Sequence, residues 1–127
     1  MATNSDLGTA SNVMALIERF TEATNRHDID GMMALMSDDV VFESTSPPEG
    51  RRFEGQAAVR ACWDELFRGT PRARLETEEV IVSGDRCTAR WRYVFDVDSA
   101  DADSVRGVDV FRVTDGKIAE KLSYVKG

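Results

Sequence analysis

The stretch RGVDVFRVTDGKIAEKLSYVKG places a carboxylate where an apolar residue is expected. Asp109 stands between Val108 and Val110, in a segment that otherwise reads as a buried strand. An unpaired carboxylate in such a place costs several kcal/mol or stays protonated. Asp109 is therefore either matched by a base or held ready for proton transfer, and it is the first candidate for chemistry. Other titratable groups are weaker candidates. His27 is the lone histidine, the default acid/base side chain near neutral pH. It closes the first helical pattern in NRHD, where a cation suits a helix C-terminus, so it is assigned to the turn. Asp38 and Asp39 precede a strand and are expected on a surface turn. Glu43 alternates with Phe42 and is expected to face out. In DVDSADAD a calcium loop fails, because counting from Asp96 puts Ala100 at position 5, Asp101 at position 6 and Gly107 at position 12. That segment reads as a solvated hairpin loop.

Aromatic residues suggest what such chemistry would act on. Phe20, Trp63, Trp91 and Tyr93 supply apolar area for a ring-shaped ligand, with a polar edge on Trp and Tyr. Phe111, Ser44 and Ser123 complete the expected lining. No cofactor and no metal are expected. Cys62 and Cys87 form no CxxC or Cys/His cluster, which excludes a structural zinc site. They read as reduced, buried small hydrophobes.

These residues need elements to hold them. Residues 1 to 10 are expected to be a flexible tail, and residues 11–127 a single domain. Val13, Leu16, Ile17 and Phe20 recur at helical spacing after a cap at Ser11 or Asn12. HDIDGMMALMSDD predicts a turn and a short helix with a methionine-rich inner face. VVFES and RRFEG predict two short strands around the loop TSPPEG. Gln56 to Arg68 predicts a third helix, with Val59, Cys62, Trp63, Leu66 and Phe67 as its stripe and Pro71 beyond its end. Four longer strands follow. In the second of them Ala89, Trp91, Tyr93 and Phe95 share a face. Helices gathered on one side of an antiparallel sheet make an α+β domain.

Charge narrows the partners. Sixteen basic against 23 acidic residues give a net charge of −7. Nucleic acid and anionic membrane surfaces would repel such a chain, so neither is an expected partner. The start MATNSDLGTASN shows no leader pattern and no apolar run suits a membrane span, so a cytoplasmic location is expected.

The stretches FTEATNRHDIDGMMALMSDDVVFE, FEGQAAVRACWDELF and VDVFRVTDGKIAEKLSYVKG resemble the nuclear transport factor 2-like superfamily. SnoaL-like polyketide cyclases and ketosteroid isomerases belong to it. The resemblance covers roughly residues 13 to 126. It implies a cone: a curved antiparallel sheet wrapped around three N-terminal helices, with a pocket inside. It also implies dimers through the outer sheet face, where Val108, Val110, Leu122 and Tyr124 would lie.

In ketosteroid isomerases the position matching Asp109 holds a protonated acid that hydrogen-bonds a developing enolate. The rest of that set is absent. The oxyanion tyrosine falls on Phe20 and the general-base aspartate on Ser44, so isomerisation by that route is not expected.

The turn VTDGK decides the expected charge of Asp109. A three-residue loop ending at Gly116 pairs Val113 with Lys117 and sets Asp109 opposite Lys121. A two-residue Asp115-Gly116 turn sets Asp109 opposite Leu122. The first register is preferred, which makes Asp109 an ionised partner of Lys121. The resulting expectation is a cofactor-independent acid/base enzyme of cyclase, isomerase or dehydratase type. Asp109 and Lys121 are its catalytic pair, and a small apolar or cyclic molecule its ligand. The alternative is a non-catalytic binding or assembly domain, which a locked Asp109 ion pair would favour.

Overall fold

The computed structural model describes residues 2–101 and 103–127, with side chains from Ala10 onward. Helices α1 (Ala2–Asn25) and α2 (Ile29–Ala34) lead into strand β1 (Met36–Glu43) and the short β2 (Arg52–Glu54). Helix α3 (Gln56–Gly69) follows, then β3 (Arg74–Ser83), β4 (Arg86–Val94), β5 (Ser104–Thr114) and β6 (Lys117–Val125). The result is the expected α+β arrangement. All six strands form one sheet in the order β2-β1-β6-β5-β4-β3. The sheet is mixed, not wholly antiparallel, because β1 runs parallel to β6. The long connection that a parallel pair requires is the stretch from β2 through β5, with α3 within it.

Two boundaries differ from expectation. The tail expected over residues 1 to 10 is helical from Ala2, since no proline interrupts a stretch that feeds directly into the apolar repeat. Strand β1 opens at Met36, so Asp38 and Asp39 lie in it and not on a turn. A register irregularity between Met36 and Val41 accommodates them at the exposed edge of the pattern.

The apolar stripe of α1 is fully spent on the core: Val13, Leu16, Ile17 and Phe20 are all buried. Met32, Met33 and Met36 join it from α2 and β1, and Val59, Trp63 and Phe67 from α3. Three polar ties fix the helices to the sheet. Asp28 caps α2 by accepting from the Gly31 N–H at 3.0 Å. The Asn25 amide pairs reciprocally with the Leu75 backbone at 2.9 and 2.8 Å, which seats α1 on β3. Gln56 Nε2 donates to the carbonyls of Met33, Met36 and Ser37, binding the start of α3 to the α2–β1 junction. The curved inner face of the sheet then closes on the helices except at one end, where a cavity remains.

Candidate functional site

The site is built by the β5–β6 hairpin, and its register is not the expected one. Asp115 and Gly116 both have positive φ, 52° and 74°, which makes a two-residue mirror-type turn. Thr114 pairs with Lys117 and Val113 with Ile118. Continued unchanged, this register would oppose Asp109 to Leu122 and turn Lys121 and Ser123 to the outer face. It is not continued. A bulge between Arg112 and Val113 shifts the ladder by one, so that Asp109 pairs with Ser123 and Phe111 with Lys121. One extra residue on β6 inverts which side chains point inward beyond it. Its trace is that consecutive Ile118 and Ala119 are both buried.

Lys121 thus sits diagonal to Asp109, not opposite it, yet the two meet. Lys121 Nζ lies 3.2 Å from Asp109 Oδ2. The Ser123 hydroxyl donates to Asp109 Oδ1 at 2.6 Å and accepts from Lys121 Nζ at 2.9 Å. The three groups close a ring. Asp109 is 3% exposed and Lys121 7%, which makes this the most deeply buried ion pair among the described residues. The ammonium also lies over two aromatic faces, 4.6 Å from the Phe42 ring centre and 5.1 Å from that of Trp63. Those faces offer partial negative charge in place of water.

The ring of polar groups lies on the wall of a cavity of about 480 Å³. Phe20, Ser44, Trp63, Trp91, Tyr93, Asp109, Lys121 and Ser123 all line it, as the sequence led us to expect. Phe111 does not. It sits two residues nearer the hairpin turn, 2% exposed, its ring edge-on to Phe20 at 6.2 Å. It is core packing behind the wall. Several lining residues were not foreseen, among them Phe42, Phe53, Thr70, Leu75 and Val105. Phe42 could have been: its alternation with the outward Glu43 already places it inside. Glu43 does face out, in an ion pair with Arg52 at 3.0 Å.

Other polar groups are held locally. The Tyr93 and Thr70 hydroxyls share a hydrogen bond of 2.9 Å. Burial pushes the Tyr93 phenol upward, and the Thr70 contact partly offsets this. Ser44 Oγ is spent on the loop at the cavity mouth, accepting from the Arg51 N–H at 3.2 Å. His27 lies outside the lining and stacks flat on Phe67, centroids 4.1 Å apart, with φ 54° in the turn after α1. Burial raises the Cys62 thiol and pushes Cys87 up to about 11, so both stay protonated and unreactive near neutral pH. In the acidic loop, two hydrogen bonds from Arg72 hold the Asp96 carboxyl below its usual range.

A curved sheet packed on three helices is found in known proteins. The family model described as the SnoaL-like domain matches residues 17–121. The chain belongs to the SnoaL-like family. Among solved structures, an NTF2-like protein of unknown function from Mesorhizobium loti shares 38% identity over 93% of each chain, with a TM-score of 0.79. A candidate SnoaL-like polyketide cyclase from Jannaschia is 20% identical over 93% of this chain and 88% of its own, TM-score 0.79. A candidate ketosteroid isomerase from Kribbella flavida is 19% identical over 93% and 80%, TM-score 0.78. The last two likenesses establish a shared fold. No curated protein matches this SnoaL-like chain.

Proposed function

We propose that the cavity of this SnoaL-like protein takes up a small, largely apolar cyclic molecule and that Asp109 and Lys121 perform acid/base chemistry on it without a cofactor. The supporting observation is the closed Asp109–Ser123–Lys121 ring on an otherwise aromatic wall. Stability alone does not account for it, because apolar residues of similar volume often replace a buried ion pair at no loss. On a bound ligand, Asp109 would accept a proton while the ammonium of Lys121 holds negative charge developing on a nearby ligand oxygen. Ser123 keeps the carboxylate oriented between the two.

A second reading is a binding domain without turnover. It is favoured by the fact that both Asp109 oxygens are already engaged. The two tryptophans of the chain both line the cavity, so intrinsic fluorescence reports occupancy directly. Quenching by small cyclic molecules is the expected result, and its absence across a broad panel removes both readings. Asp109→Asn separates them. The enzyme reading expects affinity retained and turnover reduced by roughly 10²–10⁴-fold; the binding reading expects no turnover in the parent either.

Steroid isomerisation is not expected. Phe20 lacks a hydroxyl, and Ser44 lies at the mouth with its oxygen committed to the loop. A loss of about 10²-fold or more follows from the missing base alone. Enone absorbance with a Δ5-3-ketosteroid tests this; a fast reaction abolished by Asp109→Asn would show the argument wrong.

We also propose a homodimer through the outer sheet face. Val108 pairs with Tyr124 and Val110 with Leu122 on that face, and Tyr124 is 53% exposed. A contiguous apolar patch there marks a contact surface. Sedimentation should give a dimer at micromolar concentration; a monomer refutes it.

A further inference from the structure

We infer that Arg51 binds an anionic end of the ligand at the mouth of the cavity, so that the ligand is an amphiphilic acid with its apolar body laid inward along an aromatic wall. The inference rests on the reading that the cavity takes up a cyclic ligand, and it adds that ligand's charge and orientation.

Two basic and two acidic side chains line the cavity among the described residues: Arg51, Lys121, Glu65 and Asp109. Lys121 and Asp109 are spent on each other. Arg51 is unspent: among the described residues its guanidinium makes no ion pair and no hydrogen bond. Its place is nonetheless fixed. The Ser44 N–H donates to the Arg51 carbonyl at 2.9 Å, and Ser44 Oγ accepts from the Arg51 N–H at 3.2 Å. The guanidinium then lies 5.4 Å from the centre of the Phe53 ring. An arginine stacked on an aromatic face keeps its N–H edges free for two parallel bonds to a planar or trigonal anion.

The wall beneath it runs inward. Phe53 pairs across the strands with Phe42, rings 6.1 Å apart and 19° from parallel. Phe42 in turn stacks on Trp63 at 4.6 Å. All three line the cavity, and the strip ends at the Lys121 ammonium, 4.6 Å from the Phe42 ring centre. A cation thus stands at each end of a flat apolar strip. The inner one is already neutralised, so an anion pushed there would lose its water and face Asp109 as well. The outer one is exposed, and water completes the solvation of whatever anion it holds. The charge of a bound acid therefore stays at Arg51, and its body covers Phe53 and Phe42. Glu65, exposed on α3 and outside ion-pair distance of Arg51, disfavours an acid held anywhere else on the rim.

The test uses four molecules on one frame: 2-naphthaleneacetate, its amide, 2-naphthylmethanesulfonate and 2-(2-naphthyl)ethylamine. By calorimetry at low ionic strength, both anions should bind about fivefold tighter than the amide, the worth of one ion pair next to water. The sulfonate separates charge from carbonyl chemistry. The net charge of −7 repels both anions and attracts the amine at long range, so a preference for anions isolates a local cation. Arg51→Gln should bring the anions level with the amide while amide affinity holds. Glu65→Gln should keep the preference or widen it, and added salt should narrow it. Both substituted positions are exposed, and a melting curve matching the parent shows that each variant is folded. An amide or amine that binds as tightly as the anions, or a preference that survives Arg51→Gln, overturns this inference and leaves ligand uptake standing. If none of the four binds, both fall.

Discussion

Lys121→Met should melt far below the parent protein, with a drop of roughly 10–20 °C. The side chains of Asp109 and Lys121 are 5% and 8% exposed, and 3.2 Å separates their charges. Methionine keeps the aliphatic stem against Phe42 and Trp63 and removes only the ammonium. Asp109 is then left in the wall with the Ser123 hydroxyl as its sole donor. Breaking a buried pair from one side costs about 3–5 kcal/mol, because the remaining charge has lost its compensation. That is a large share of the ~5–15 kcal/mol that holds a typical domain. Removing both charges is a different experiment. Asp109→Leu together with Lys121→Met should recover most of the loss, since apolar packing substitutes for a buried pair at little cost. A useful control is Arg52→Met, which breaks an exposed pair with Glu43 and should change stability by less than about 1 kcal/mol. Thermal denaturation followed by circular dichroism reads all three. A single variant as stable as the parent, or a double variant whose loss is the sum of two large ones, would refute the account of the ring.

The register that the turn VTDGK suggests sets Asp109 opposite Lys121, and the structure makes the contact through a different one. The turn VTDGK supplies a glycine with positive φ in either loop, so composition could not choose between them. The deciding feature is the bulge at Ala119, and nothing in KIAEKLSYV announces it except two adjacent apolar residues, Ile118 and Ala119. The contact survived because a lysine is long enough to reach a diagonal neighbour. Periodicity was more reliable where one face is wholly buried. The stripe of α1, Val59, Trp63 and Phe67 of α3, and Ala89 and Trp91 of β4 follow from spacing alone, whereas Leu66 and Phe95, expected on the same faces, are each 38% exposed. Phe111 shares the inner parity of Asp109, and alternation cannot tell a cavity wall from the core behind it. That distinction depends on Phe20, which arrives from α1 to cover the Phe111 ring. The parallel β1–β6 pairing was likewise invisible to local pattern, because it joins segments about 80 residues apart, as does the 2.6 Å bond from Lys117 Nζ to the Ala34 carbonyl.

Gly107 provides the second large effect, and it tests the same register from the other side of the hairpin. In the shifted ladder Gly107 lies between Trp91 on β4 and Val125 on β6. Its inner face is covered by the Trp91 indole. A Cβ at this position would come within 2.6 Å of Trp91 Cη2 and 2.7 Å of Cζ2, and into hard contact with the Tyr124 carbonyl oxygen. The indole is 93% enclosed by its neighbours, with a relative exposure of 7%, and the carbonyl belongs to the sheet backbone. Neither can swing away as the tip of a flexible side chain would. Gly107→Ala should therefore cost about 1–3 kcal/mol as overpacking, and Gly107→Val more, since its branches point at the indole. The sign is informative, because alanine normally favours structure over glycine. At Gly69, the last residue of α3, no atom lies within 4 Å of a built Cβ, and Gly69→Ala should stabilise by a few tenths of a kcal/mol to about 1. Displacing Trp91 also moves one wall of the cavity. Gly107→Ala should then lower the melting temperature and change tryptophan emission together, while Gly69→Ala should not lower the melting temperature. If Gly107→Ala melts with the parent and leaves tryptophan emission unchanged, Trp91 does not cover the glycine, and the register that turns Lys121 and Ser123 toward Asp109 loses its independent support.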